Sequence, residues 1–382
     1  MFRTLRCSLL LFVLGAPAAS VYAQVVDSAA PVPPIAARSW LLMDYQTARP
    51  IAASNADERI EPASLTKLMS AYVVFAALKE QQFSLAHLLP VSTKAWKMPG
   101  SRMFIEPNTA VAIAELLRGM IVQSGNDATI ALAEGVAGSE ETFVHRMNEQ
   151  AARLGLTNTR FVNATGLTNP QHYSTAADLA RLASAVIRDF PEQFALYSLR
   201  DYTYNQITQR NRNDLLFRDP FVDGLKTGYT ESAGYCIVAT ARREDRRLLA
   251  VVTGAASEGA RAIEAQKLLN YGFQHYETLK LYPKGQPVAR LPVWKGSEPQ
   301  LNAGFLDDLY VAIPKGQREM LKARLESLQP LIAPIGLQQP VGVLRLTLGD
   351  QPYGEFPVLA LEPVSVANVF VRAWHSLRLL FK

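Results

Sequence analysis

Residues 235–255 read YCIVATA, RREDRR, LLAVVTGA, two apolar runs joined by six consecutive charged residues. Two such runs around a charged connection specify an antiparallel strand pair with a solvent-facing turn. Far upstream, SWLLMDYQTARPIA (39–52) places apolar segments on both sides of a polar turn and predicts a β-hairpin. Between these strand regions the periodicity is helical: KLMSAYVVFAAL (67–78), AVAIAELLRGMIVQ (110–123), DATIALAEGVAG (127–138) and TAADLARLASAVIRDF (175–190). The last of these starts with Thr175 and Asp178 at capping-box spacing. A further helix, EGARAIEAQKLLNYGF, follows at 258–273. Strands at both ends and helices between them define an α+β fold in which distant parts of the chain share one antiparallel sheet flanked by helices.

From about Tyr282 the texture changes. QPVARLPVW, DLYVAIP, VGVLRLTLG and EFPVLALEP are short strands punctuated by proline and glycine, as in a small all-β domain. The one helical candidate there, KGQREMLKARLESL (315–328), fits the helical period poorly. No cluster of titratable residues marks this part, so the expectation is a stalk or an interaction surface.

The ends carry further information. Residues 1–23 hold Arg3 and Arg6, the apolar run Leu9 to Leu14 and a small-residue end at Ala23, the pattern of a cleavable secretory signal. Cys7 falls inside it, leaving Cys236 alone and no internal disulfide. The net charge of +5 is uneven: Arg3 and Arg6 supply two charges, and Arg372, Arg378 and Lys382 supply three. The body between is neutral, which argues against nucleic-acid binding. In the tail PVSVANVFVRAWHSLRLLFK, a helix would gather Val366, Val369, Phe370, Ala373, Trp374, Leu377, Leu380 and Phe381 within an arc of roughly 140°. Arg372, His375, Arg378 and Lys382 fall opposite, so the tail is expected to lie on an anionic membrane surface, or else to pack on its own domain. The expected division is therefore a signal at 1–23, an α+β domain at 24–280, a β-rich domain at 281–361 and an amphipathic helix at 362–382.

Three short motifs carry the chemistry. In EPASLTKLM (61–69), Ser64 and Lys67 are three residues apart; on a helix they share a face, and a neutral lysine there can take the serine proton. The bland alternative for Ser64 is a helix cap. Neutrality requires a depressed pKa, which burial in LMSAYVVFAAL and the charge of Lys226 could both provide. Ser124-Gly125-Asn126 sits between two helical stretches, and Lys226-Thr227-Gly228 opens the late strand region, where glycine permits close approach of a substrate. His87, His145, His172, His275 and His375 lack metal-ligand spacing, so no metal or other cofactor is expected.

Ser-x-x-Lys, then Ser-Gly-Asn, then Lys-Thr-Gly, in that order, is the motif set of penicillin-binding proteins and serine β-lactamases. Together with LLMDYQTARPIA, FVNATGL, YSTAADLA, NRNDLLF and VDGLKTGYTESAGY, it makes the chain closely resemble the low-molecular-weight penicillin-binding proteins that are D-alanyl-D-alanine carboxypeptidases. The resemblance implies a penicillin-binding/serine β-lactamase-like catalytic domain followed by the all-β domain and the amphipathic helix. It implies that Ser64 attacks the bond between the terminal D-alanines of a peptidoglycan stem peptide, that Lys67 accepts the proton, and that Ser124 relays one to the leaving amine. Asn126 would orient the substrate, Lys226, Thr227 and Gly228 would receive its carboxylate end, and Arg261 would lie close by. β-Lactam antibiotics would act as covalent inhibitors, and the enzyme would work on the periplasmic side of the inner membrane. A DD-endopeptidase, a transpeptidase or a β-lactamase would share the triad; a non-catalytic scaffold would be expected to have lost part of it. Two departures stand out: Tyr229 follows the Lys-Thr-Gly motif where histidine is frequent, and Gly125 replaces the aspartate usual in β-lactamases.

Overall fold

The computed structural model of the chain describes residues 30–380. The signal expected at residues 1–23, with Cys7, and the terminal Phe381 and Lys382 lie outside the described residues. Five strands form the central sheet: β1 (Ser39–Asp44), β2 (Arg49–Ser54), β3 (Val222–Thr230), β4 (Gly234–Arg243) and β5 (Arg246–Ala255). They run antiparallel in the order β2-β1-β5-β4-β3. The early hairpin and the late pair thus share one sheet, as their patterns require. The charged connection is shorter than expected: Arg243 pairs with Arg246, which leaves Glu244 and Asp245 as the two-residue turn, with Glu244 at φ 54°.

Both faces of the sheet are covered, so its inner strands are apolar at successive positions rather than alternating. The principal helices are α1 (Lys67–Lys79), α2 (Ile113–Arg118), α3 (Asn126–Ala137), α4 (Glu140–Arg153), α5 (Ala176–Asp189) and α6 (Glu258–His275). Leu41, Met43, Val238, Leu249 and Val251 face α1 to α5, while Leu42, Ile237, Ala239, Ala250 and Val252 face α6 through Ala262, Ala265, Leu268 and Leu269. α1 has every residue from Lys67 to Phe75 buried. A helix apolar all round belongs in the interior, and this one takes a lysine in with it. Thr175 caps α5 as its spacing predicts, accepting the Asp178 N–H at 3.1 Å; the Asp178 carboxylate turns instead to Asn158, Thr159 and Arg181.

The second part of the chain holds a six-stranded sheet and a two-stranded one around Leu291, Val293, Leu301, Val311, Ile313, Leu344, Leu346 and Val358. Its first strand, Tyr276–Tyr282, continues directly from α6 and pairs with Leu309–Pro314, so the pairing crosses residue 280. The two parts meet where Arg49 donates to the Tyr353 carbonyl at 2.7 Å and stacks over the Tyr353 and Phe356 rings. A second junction ties Asp44 to Arg246 and Thr278.

Several local expectations are corrected, and the stretch that fits the helical period poorly proves to be mostly strand. The 315–328 stretch is a strand, Leu321–Ser327, after a single turn of 3-10 helix. Residues 110–112 of the expected helix pair as a strand with Leu88–Pro90, and its last five, Gly119–Gln123, widen into a π-turn. Ser64 neither caps nor begins α1: it lies within a 3-10 turn, Ala63–Thr66, with no side-chain cap. The tail helix, α7 (Val369–Leu379), begins after Val366, which bridges Gly296 instead. His375 also leaves the solvent: its Nδ1 accepts the Lys295 N–H at 2.7 Å and its ring meets Trp294 edge-on.

Candidate active site

The 3-10 turn brings the Ser64 hydroxyl to the end of α1, where Lys67 Nζ lies 3.0 Å from Oγ. Nζ also donates to Asn126 Oδ1 and to the Thr165 carbonyl, both at 2.7 Å. The amide orientation is fixed on its other side by Nδ2 donating to the Pro99 carbonyl at 2.6 Å. Two of the three directions at Nζ are therefore spent on pure acceptors. A neutral amine fills them with its two N–H bonds and points its lone pair at Ser64. Burial favours that form: Lys67 is 1% exposed, and desolvation brings its pKa from 10.5 to about 7, with Asp127 pulling the other way. Keeping the ammonium there costs about 5 kcal/mol relative to water. The second charge expected from Lys226 is not what lowers Lys67; desolvation does.

Backbone geometry supports the serine from both sides. Ala63 has φ 47°, a strained value for a residue with a side chain. A Cβ on Gly166 would fall 1.8 Å from the Ala63 carbonyl oxygen, and one on Gly228 would meet Pro62, Ala63 and Leu65 at 3.2 Å. Gly228 lines the cleft, and its lack of a side chain also makes room for the turn that carries Ser64.

Ser124 follows the π-turn in the left-handed region at φ 65°. Its hydroxyl is buried yet has no hydrogen-bond partner among the described residues, and it lines the same cleft as Ser64. Such an orphaned group calls for an explanation, and a passing substrate atom is one.

The opposite wall is β3. Lys226 is buried, donates to the Thr227 carbonyl at 2.9 Å, and has its pKa held well below 10.5, first by desolvation and then by Lys67, Arg261 and Arg212. Arg261 reaches in from α6, donating to the Gly228 carbonyl (3.3 Å), the Arg212 carbonyl (3.4 Å) and Glu258 (2.6 Å). The cleft encloses about 390 Å³, and Ser64, Ser124, Asn126, Thr227, Gly228 and Arg261 all line it. All eight singled-out residues thus converge, with Arg261 and Arg212 crowded against Lys226 at the β3 end. A bound carboxylate would relieve that crowding.

Thr165 and Arg212 carried no signal as site residues. Thr165 acts through its carbonyl, which no side-chain pattern reveals. Arg212 stands at the cleft within NRNDLLF, a stretch that marks the family but gave it no role. Tyr229 stacks on Tyr235 at 4.4 Å between centroids, and both border the cleft.

A family model described as D-alanyl-D-alanine carboxypeptidase, peptidase S11, matches residues 25–257, and one for the C-terminal domain of penicillin-binding protein 5 matches 276–365. The chain belongs to the peptidase S11 family. Among its relatives in that family is the D-alanyl-D-alanine carboxypeptidase DacC of Escherichia coli, 41% identical over 96% of this chain and 93% of that one. The crystal structure of penicillin binding protein 5 from Haemophilus influenzae superposes with a TM-score of 0.86 at 38% identity, covering 88% of this chain and 99% of that one. Penicillin-binding protein D2 from Listeria monocytogenes, solved in its ampicillin-bound form, matches 64% of this chain and 100% of its own, with a TM-score of 0.59 at 30% identity. The two matches follow one another along the chain, the second of them over the β-rich region.

Proposed function

We propose that the chain is a serine D-alanyl-D-alanine carboxypeptidase that removes the terminal D-alanine from peptidoglycan stem peptides through an acyl-enzyme on Ser64. The observation that carries this is the Ser64, Lys67 and Asn126 geometry, in which a buried amine held by two acceptors lies 3.0 Å from the serine oxygen. As Lys67 takes that proton, Oγ bonds to the carbonyl carbon between the two D-alanines. The C–N bond then breaks, and the leaving amine takes a proton from Lys67 by way of Ser124. Water releases the acyl group by the reverse use of Lys67, now neutral again. Lys226, Thr227, Arg261 and Arg212 hold the terminal carboxylate. No glutamate comparable to a β-lactamase deacylation base is assigned, so β-lactams would trap the same ester.

The site serves an exported enzyme held at the periplasmic face of the inner membrane by α7. No helix among the described residues is long and apolar enough to cross a membrane. Phe370, Trp374 and Leu380 are 86%, 59% and 80% exposed, while His375 and Arg378 turn back toward Trp294. Such a helix suits a bilayer surface. Replacing Phe370, Trp374 and Leu377 by serine should move the protein from the membrane to the soluble fraction; continued sedimentation with membranes would contradict it. Nucleophile assignment is tested by mass spectrometry of the intact chain after exposure to penicillin. One adduct on the peptide carrying Ser64, absent in Ser64→Ala, is expected; an adduct on another residue would refute it.

A further inference from the structure

Asp127 directly follows the Ser124-Gly125-Asn126 turn, and none of the steps above uses it. Its carboxylate is fully buried and accepts four backbone N–H groups: Oδ1 takes those of Met103 (3.0 Å) and Ala128 (2.8 Å), Oδ2 those of Phe104 (2.9 Å) and Ile105 (3.3 Å). Three of these donors belong to the segment 99–105 that runs along the cleft. The carbonyls of that same segment hold Asn126: its N–H donates to Ser101 at 2.7 Å and its Nδ2 to Pro99 at 2.6 Å. The amide so held presents Oδ1 to Lys67.

We propose that Asp127 is a positioning residue: its carboxylate moors segment 99–105, and the segment in turn fixes the Asn126 carboxamide that aims Lys67 Nζ at Ser64. The proposal rests on Ser64 and Lys67 being nucleophile and base.

Gly125 supplies an independent observation. Its backbone, φ −57° and ψ 118°, is open to any residue, so conformation does not require glycine there. Space does. A Cβ at 125 would lie 2.8 Å from Asp127 Oδ1 and 3.1 Å from the Met103 nitrogen. The middle of the motif is therefore empty of side chain because the carboxylate of residue 127 and its first donor occupy that room. This gives a physical reason for Ser-Gly-Asn in a chain whose next residue is aspartate.

The charge of Asp127 adds a signature that a purely structural role lacks. The charged groups around Lys67 are Asp127 from α3 and Lys226 from β3, and Arg102 Nε faces Asp127 at 4.0 Å. Asp127 favours the ammonium form of Lys67, so removing its charge should let the amine stay neutral to lower pH.

The test uses the full chain and measures D-alanine release across pH, with thermal unfolding as a fold check, for Asp127→Asn and Gly125→Ala. Asp178→Asn is the control: Asp178 is also buried and accepts a backbone N–H, from Asn158 at 2.9 Å, but it lies on α5 and does not line the cleft. Both first variants should lose tenfold or more in kcat, and Asp127→Asn should move the acid limb of the profile to lower pH. Asp178→Asn should lower the unfolding temperature and leave the limb in place. A wild-type rate and limb in Asp127→Asn would overturn the proposal. If that variant does not fold, a wild-type rate in Gly125→Ala would do so. Ser64→Ala, assayed alongside, separates the two levels: continued release from it would refute the nucleophile assignment rather than the role of Asp127.

Discussion

The two parts of the chain treat polar groups in opposite ways. In the first, Lys67, Asp127, Lys226, Arg261 and Glu264 are buried, along with some nineteen other polar or charged residues up to Glu264. Beyond Glu264, among the described residues, no charged, amide or aliphatic-hydroxyl side chain is buried; the buried side-chain hydroxyls there are the phenols of Tyr271, Tyr276 and Tyr353. There the charges sit outside, as in Lys280 with Asp308 at 2.6 Å or Arg345 between Glu326 and Glu355 at 3.2 and 3.3 Å. Burying a charge costs several kcal/mol unless something repays it. A domain selected only to fold has no reason to accept that cost, whereas a site that needs a neutral lysine has one. The cost itself is the means by which Lys67 loses its proton near neutral pH.

This contrast can be broken by substitution, in descending order of effect. Lys67→Ala should lower acylation by penicillin about 10²–10⁴-fold, the usual worth of a positioned general base. A loss below tenfold in stopped-flow labelling would mean that the buried amine is not the base. Lys226→Gln removes a charge-assisted contact to the carboxylate and should cost about 2–3 kcal/mol, or roughly 30–150-fold in kcat/KM. An equal loss on a substrate whose terminal carboxylate is amidated would contradict that role. The pH profile sharpens the same point. Since the active amine is unprotonated and its pKa is lowered to about 7, kcat/KM should rise through pH 7 and fall about tenfold per unit well below it. A limb near 10 would mean that burial does not neutralise Lys67. At the small end, Arg345→Ala in the second part should change stability by less than about 1 kcal/mol and leave D-alanine release untouched, because its partners are solvent-screened.

Much of the fold was legible because its signals are local. The apolar runs of β4 and β5, the hairpin at 39–52 and the cap at Thr175 each follow from side chains a few residues apart. What failed depended on neighbours distant in sequence. Ala110 to Ala112 reads as helix until Leu88–Pro90 offers it a strand partner. Leu321–Ser327 reads as a weak helix until Pro340–Leu348 pairs with it over seven positions. Ser64 reads as a cap because serine before an apolar run usually is one. Its 3-10 turn depends on Gly166 and Gly228 pressing from loop and strand more than a hundred residues away. At the site, the side chains of the three short motifs stand out in the sequence, whereas Arg212 and Asp127 do not. The Thr165 carbonyl and the mooring of segment 99–105 by Asp127 were not visible, since backbone groups leave no mark in the residue pattern.

The measurement that bears most directly on the central claim is release of free D-alanine from a pentapeptide ending in D-Ala-D-Ala, for wild type, wild type with penicillin, and Ser64→Ala. Release from wild type alone, abolished by either the antibiotic or the substitution, is the predicted result. No release from wild type, or undiminished release from Ser64→Ala, would contradict a carboxypeptidase that works through Ser64 and a neutral Lys67.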